Sequence, residues 1–432
     1  MSVRRANEKV IFESFEGPRV TGILGPRRVG KSTLVKDFVQ NKTPLCFFNM
    51  DSQAEQNDLS TRGLQRLIEE KTHQTLSSGI KTWVVIDEAQ KYPSLFDQIK
   101  LLYDETKDQG SLKFIITGSS QLDLHQLSTE SLAGRIELFQ LQEFSLQESL
   151  ALEGHQNVYC SPLDLILDRR FSELESSISR IGLYRRELQA CLNTQLIFGG
   201  LPEVLLAKNE EARLRYLSNY LQTYLEKDVR AMSRIDIPAY HKLLEVVAEQ
   251  TGSVREDQKI LDSIHIARDT LKKYREYLLA TWVYQEIYPF IQRSLKRLVK
   301  TPKGYLINNG LITYLSGISD LPTLEKTGII GHRLETWFLK ELSIAKARHA
   351  KKIDIHYWRT HSGLEVDFIL AAKPHAYPFE ITYRDKIESK KIRNLKTFME
   401  EESADFGFYV YQGEFDFDST NRIYFLPAFS IG

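Results

Sequence analysis

The 432-residue chain is poor in cysteine: Cys46, Cys160 and Cys191 lie far apart with no CxxC spacing. That scarcity argues against a disulfide framework and against a zinc site. Neither charge is in excess, since 57 lysines and arginines face 57 aspartates and glutamates. Avid binding to nucleic acid or to a membrane surface would therefore have to come from a local basic patch. There is no apolar run of about 18 residues or more to span a bilayer. The opening MSVRRANEKVIFESFEG carries charge where a signal peptide has its apolar core. These absences point to a soluble, cytoplasmic protein with no membrane partner. No internal repeat or low-complexity tract is evident. What remains is a globular composition, 42% hydrophobic and 26% charged, at a length that suits two to four domains.

Three textures follow one another. From Arg19 to Glu143, short apolar segments alternate with helical ones. The strand candidates are RVTGIL (19–24), LCFFNM (45–50), TWVVID (82–87), LKFIIT (112–117) and IELFQL (136–141). Their spacing leaves room for helical crossovers and predicts an α/β fold with a mostly parallel sheet. The polar stretch Asp51 to Gly63 reads as exposed. From Leu146 to about Ile291 the pattern is nearly all helical, with a soft boundary near Gly199-Gly200. The third texture begins near Gly328. It reads as a helix at 333–345, strands at 354–360, 364–370 and 378–383, a helix at 388–401, and strands at 406–412 and 422–427.

GPRRVGKST satisfies GxxxxGK[ST], and it follows a strand and opens a helix. In such a loop Gly25 and Gly30 permit close wrapping, and the backbone N–H groups of Gly25, Pro26, Arg27, Arg28, Val29, Gly30, Lys31, Ser32 and Thr33, proline excepted, are available to phosphate oxygens. Lys31 would reach the β- and γ-phosphates of ATP. Ser32 would ligate Mg²⁺, and the helix N-terminus favours the anion. WVVIDEAQ ends an apolar strand in two carboxylates, Asp87 to hold Mg²⁺ and Glu88 to polarise the attacking water. At the end of FIITGSSQ, Thr117, Ser119 or Ser120 either senses the γ-phosphate or makes a serine-rich turn. Arg135 either reaches a γ-phosphate, in its own chain or a neighbour's, or pairs with a carboxylate at a strand edge.

GPRRVGKST, IDEAQKYP, TGSS, SLAGR with the following LQEFS, GGLPEV and KGYLINNGL occur in that order and span nearly the whole chain. Together they resemble prokaryotic AAA-type ATPases that carry a C-terminal domain of unknown function. The resemblance implies an ASCE-class P-loop domain with Walker A at Gly25 to Ser32 and Walker B at Asp87-Glu88. It also implies a winged-helix element in the middle of the chain; AAA-type relatives at large often form rings, a trait the resemblance does not extend to this family. Two features depart from it: the segment 151–197 is long, and Asn308-Asn309 stand where an acidic residue is usual.

Helical stretches at 240–250, 256–263 and 266–279, then WVYQEIYPF and KRLVKTPKGYLIN, have the lengths of a winged helix at about 238–310. The third helix carries Arg268, Lys272, Lys273 and Arg275, and the wing adds Lys296, Arg297, Lys300 and Lys303. These form either a DNA-phosphate surface or an ordinary solvated face. Beyond them, Glu335 on a helix and Asp367 and Glu380 in strands fall in an order that resembles the PD-(D/E)XK nuclease fold. There such carboxylates bind Mg²⁺ to activate water. Thr382 occupies the lysine position of that pattern, so the module reads as nuclease-like and inactive unless Lys386 or Lys390 substitutes. The alternative is a solvated or paired acidic sheet edge. The expected modules are thus an ATPase domain at 1–145, a helical region at 146–327 and a nuclease-like α/β domain at 328–432. The expected function is a Mg-ATP-driven switch acting on the C-terminal half, alone, as a homo-oligomer or with a protein partner. An ATP-regulated DNA-binding protein and a Mg-dependent nuclease are the alternatives.

Overall fold

The computed structural model describes residues 3–119, 131–155, 161–225, 235–291 and 301–432. They form two compact units, 1–142 with 279–282, and 143–278 with 283–432.

In the first unit five strands pair in parallel: β1 (Val20–Leu24), β2 (Leu45–Asn49), β3 (Thr82–Asp87), β4 (Leu112–Gly118) and β5 (Ile136–Gln140). Their order is β2-β3-β4-β1-β5. All five residues of β1, all seven of β4 and the first five of β3 are buried. Helices on the sheet faces explain why these strands read as continuous apolar runs rather than alternating ones. Phe48, Val84, Ile86, Phe96, Ile99, Phe114 and Ile116 belong to one core. Because all five strands run parallel, the loop after β1 and the acidic pair ending β3 open at the same carboxyl edge, on either side of β4. Ligands of open α/β sheets bind at such an edge. The polar stretch 51–63, expected only as exposed, is the helix Gln53–Arg62, with Ser52 accepting the Glu55 N–H at 3.4 Å. An N-cap with few apolar residues behind it makes a helix that hydrophobic periodicity does not reveal.

The second unit is built on a nine-stranded mixed sheet. Its strands are β6 (Ser253–Val254), β7 (Tyr284–Pro289), β8 (Lys303–Leu306), β9 (Asp354–Arg359), β10 (Glu365–Ala372), β11 (His375–Ile381), β12 (Gly407–Tyr411), β13 (Asp416–Asp418) and β14 (Ile423–Pro427). The order is β13-β14-β12-β11-β10-β9-β7-β8-β6. The join is the parallel pair β7–β9, with Tyr288 opposite His356 and Pro289 opposite Tyr357. The middle and C-terminal segments, expected as separate modules, therefore share one sheet and one compact unit. The long insertion also has a place. Leu188, Leu192 and Leu196 share a core with Leu334, Phe338 and Leu342 of the helix Ile330–Arg348 and with Phe368 and Phe379 of the sheet. A second core holds Leu395, Phe398 and Met399 of the helix Ser389–Glu402 with Val366, Ile369, Tyr409 and Phe425.

Nor does a unit boundary fall at Gly199-Gly200. Buried Glu143 accepts the Gly200 N–H at 2.9 Å and the Asn308 side-chain amide, while Asn308 accepts the Leu311 N–H at 2.8 Å. Gly199 sits at φ 72°, and a Cβ there would lie 2.6 Å from the Asn308 amide nitrogen. Three motifs distant in sequence, LQEFS, GGLPEV and INNGL, thus meet at one buried carboxylate. Asn308 is a donor to that carboxylate, which a second acidic residue could not be when ionised.

Candidate functional site

The loop between β1 and the helix Lys31–Val39 is tightly constrained. Gly25 has φ 149°, and a Cβ on it would lie 2.0 Å from the Leu141 carbonyl oxygen, so only glycine fits. Arg28 and Gly30 are left-handed at φ 64° and 96°, a local geometry that turns successive N–H groups into an anion-binding concavity. Pro26 and Val29 are buried, Arg27 is half-buried, and Arg28 and Thr33 are exposed.

Lys31 is 6% exposed and donates to the carbonyls of Gly25 at 3.0 Å and Pro26 at 2.8 Å. Burial pushes its ammonium down to about 8, against the upward pull of Glu88 and Asp87. Next to it the Ser32 hydroxyl donates to the Asp87 carboxylate at 3.0 and 3.2 Å. The Thr117 hydroxyl donates to Asp87 Oδ1, which Ser32 also contacts, and the Glu88 N–H points at Thr117 Oγ1 at 3.4 Å. Glu88 itself is left-handed at φ 53°. Its carboxylate accepts from Ser119 Oγ at 2.8 Å and from Gln90 Nε2 at 2.7 Å. An ammonium, a hydroxyl and two oriented carboxylates are thus gathered at one sheet edge beside a loop shaped for anions.

Gln90 escaped the sequence reading. It lies in IDEAQ, two residues past Glu88, and only the turn at Glu88 brings its side chain back. Ser120 lies outside the described residues. The Arg135 guanidinium holds Asp104 of the helix Leu95–Thr106 through two bonds of 2.9 Å, which keeps that carboxyl below its usual range. It is the carboxylate-paired arginine of the two alternatives.

In the second unit Asp367 and Glu380 converge on a residue the sequence reading passed over by one position. Lys391 donates to Asp367 at 2.7 Å, to Glu380 at 2.8 Å and to the Ile381 carbonyl at 2.8 Å. Asn394, one turn on, donates to Glu380 at 3.0 Å. The lysine that meets these two carboxylates thus comes from the helix Ser389–Glu402 and is none of Lys386, Lys390 or the Thr382 position; Thr382 bonds Glu388 at 3.0 Å. Asp367 lies in the register shift of β10 between Val366 and Ile369, and such an irregularity re-aims a side chain. Burial opposes its ionisation, but Lys391 and Lys303 outweigh that and hold it down to about 2. Glu335 accepts from Tyr305 at 3.2 Å and is raised to about 7 by burial and then by Asp367. Among the described residues no group of three or more His, Cys, Asp or Glu side chains is placed to hold a metal ion.

The basic helix Arg268–Ala280 is divided in its commitments. Arg268 and Lys272 are exposed and Lys273 lies 5.9 Å from the Tyr277 ring centre. Arg275 is turned to Asp257 at 2.5 Å and to Glu286 at 3.6 Å, so it leaves the expected phosphate-facing set. Lys303, expected on the wing surface, is 4% exposed and paired with Glu365. Lys296, Arg297 and Lys300 lie outside the described residues.

Residues 17–150 match the family model described as AAA domain, and 189–322 and 330–431 match two domains of unknown function, DUF8612 and DUF4143. The chain has an N-terminal AAA-type P-loop ATPase domain, of α/β fold and ASCE type, followed by domains of unknown function. Two uncharacterized proteins, from Mycobacterium tuberculosis and Mycobacterium bovis, are each 26% identical over 407 residues, 94% of this chain and 79% of theirs. Among solved structures, a Walker-type ATPase of Pyrococcus abyssi is 19% identical with a TM-score of 0.47, covering 73% of this chain and 96% of its own. The Aeropyrum pernix ORC1 protein, solved in complex with DNA, is 12% identical with a TM-score of 0.30, covering 74% and 93%. Among the described residues no helix is long and apolar enough to cross a membrane.

Proposed function

We propose that the chain binds Mg-ATP at the Gly25–Thr33 loop, hydrolyses it, and uses the nucleotide state as a switch on its C-terminal half. The observation that carries this reading is the contact of Ser32 with Asp87 beside Lys31. It brings the hydroxyl of one motif onto the carboxylate of another, 55 residues away. The oxygen-only donor set of Ser32 and Asp87 fits Mg²⁺. When bound, that ion neutralises charge on the β- and γ-phosphates.

The chain's own residues supply the rest. Lys31 exchanges the carbonyls of Gly25 and Pro26 for phosphate oxygens. Glu88 accepts a proton from the attacking water, with Ser119 and Gln90 fixing its carboxylate and Thr117 fixing Asp87. Arg135 has no part in this scheme, because Asp104 holds it. Lys31→Ala should abolish nucleotide binding, measured with a fluorescent ATP analogue; undiminished binding would contradict the assignment.

The second reading, ATP-regulated DNA binding, draws on the order helix (Ile237–Glu249), β6, helix (Asp257–Ile264), helix (Arg268–Ala280), β7, β8, the order of a winged helix. Arg268, Lys272 and Lys273 remain as its candidate contacts. A gel shift at low and high salt tests it: no shift at low salt removes it. For the C-terminal module, Lys391 on Asp367 and Glu380 takes away the missing lysine as the ground for inactivity; we infer a paired acidic cluster only because no group of three or more acidic, His or Cys side chains is placed to hold a metal among the described residues. Mg²⁺-dependent cleavage lost in Asp367→Ala would overturn that inference.

A further inference from the structure

We propose that Arg5 is a positioning residue for the phosphate loop, an assignment that rests on reading that loop as an ATP site. Arg5 precedes the first helix, Glu8–Glu16, yet its side chain is only 7% exposed. One guanidinium nitrogen donates to the Val29 carbonyl at 2.7 Å and another to the Gln142 carbonyl at 2.6 Å. Two residues on, the Asn7 amide donates to the Gln140 carbonyl at 3.0 Å. The N-terminal segment is therefore fastened to the last residue of β5, to the chain leaving that strand and to the P-loop, at one point each.

The place of the Val29 contact gives it meaning. Val29 stands between Arg28 and Gly30, both at positive φ. A non-glycine residue in that region costs on the order of 1–3 kcal/mol and persists where its surroundings over-determine it. Holding the Val29 carbonyl fixes the plane of the Val29–Gly30 peptide, and so the direction of the Gly30 N–H in that plane. Gln142 is a firm anchor because Leu141, beside it, donates its N–H to the Leu24 carbonyl at 2.8 Å, tying it to the end of β1. A rigid, forked guanidinium can bridge two carbonyls at once, which a lysine ammonium on a flexible stem does poorly. The positive charge also lies against the cradle: a Cβ on Gly30 would be 3.6 Å from Arg5 Nη1. Arg5 thus acts on phosphate through the loop, by preorganising it before ATP arrives.

The test compares wild-type chain, Arg5→Ala and Arg5→Lys in steady-state ATP hydrolysis, with melting temperature read on the same samples. Arg5→Ala should raise KM for ATP on the order of tenfold, with a much smaller fall in kcat, at temperatures where the variant is fully folded. Millimolar methylguanidinium should bring KM back towards the wild-type value, which a loss of fold alone would not allow. Arg5→Lys keeps the charge and should recover only part of the loss; if Arg5→Ala does not fold, Arg5→Lys decides. Wild-type KM in both variants would overturn the assignment while leaving the ATP reading intact. A wild-type chain that neither binds nor hydrolyses ATP would remove both.

Discussion

At the scale of single residues, two titrations follow from burial. Lys31 has an ammonium lowered to about 8, and phosphate oxygens want it charged. Below pH 8 it carries its proton; above, the free protein has lost it and binding must take it up again. Affinity for ATP should therefore fall about tenfold between pH 7 and pH 9. Calorimetry in buffers of different ionisation enthalpy should register the proton uptake. An affinity that does not change over this range would contradict a lysine-phosphate contact. Glu335 shifts the other way, to about 7, in a setting that contains Asp367, Lys303, Lys391, His332 and the Tyr305 hydroxyl. A carboxyl whose folded value is raised binds more protons folded than unfolded. Its contribution is thus fully present below about pH 4.5 and is lost as pH rises through 7. Glu335→Gln should raise stability at pH 8.5 by on the order of 2 kcal/mol and leave it nearly unchanged at pH 4.5. Equal effects at both pH values would contradict the burial argument.

At the scale of elements, the Glu143 contact shows why certain turns look as they do. Asn308 both caps the helix Asn309–Ser316 and donates to the buried carboxylate. Asn308→Ala removes a cap and leaves Glu143 with one partner fewer, and should cost about 2–3 kcal/mol in chemical unfolding. A loss within experimental error would mean that water replaces the amide. The five strands of the first sheet were legible because each is a short apolar run, and both ends fall within a residue or so of expectation. The phosphate loop and Asp87-Glu88 were legible because their chemistry is local. Arg5, Gln90 and Lys391 were not: Arg5 meets Gln142 from 137 residues away, and no periodicity encodes such a meeting. Arg135 and Arg275 look like free cations in sequence because a carboxylate partner 31 or 18 residues distant carries no local sign.

For the whole molecule, the chain divides between Gln142 and Glu143, directly after the residue that Arg5 grips. The segments read as middle and C-terminal domains share a sheet through β7 and β9, so they should unfold together. Differential scanning calorimetry should resolve two transitions, and Mg-ATP at about 100 times its Kd should stabilise the N-terminal one by about 2.7 kcal/mol. Lys31→Ala should abolish that shift. The central claim is that Glu88 turns a bound nucleotide over rather than merely holding it. Its most direct test is Glu88→Gln, with ATP affinity and single-turnover hydrolysis measured on one preparation. The account predicts affinity equal to wild type and hydrolysis slower by about 10²- to 10⁴-fold; hydrolysis at the wild-type rate would contradict it.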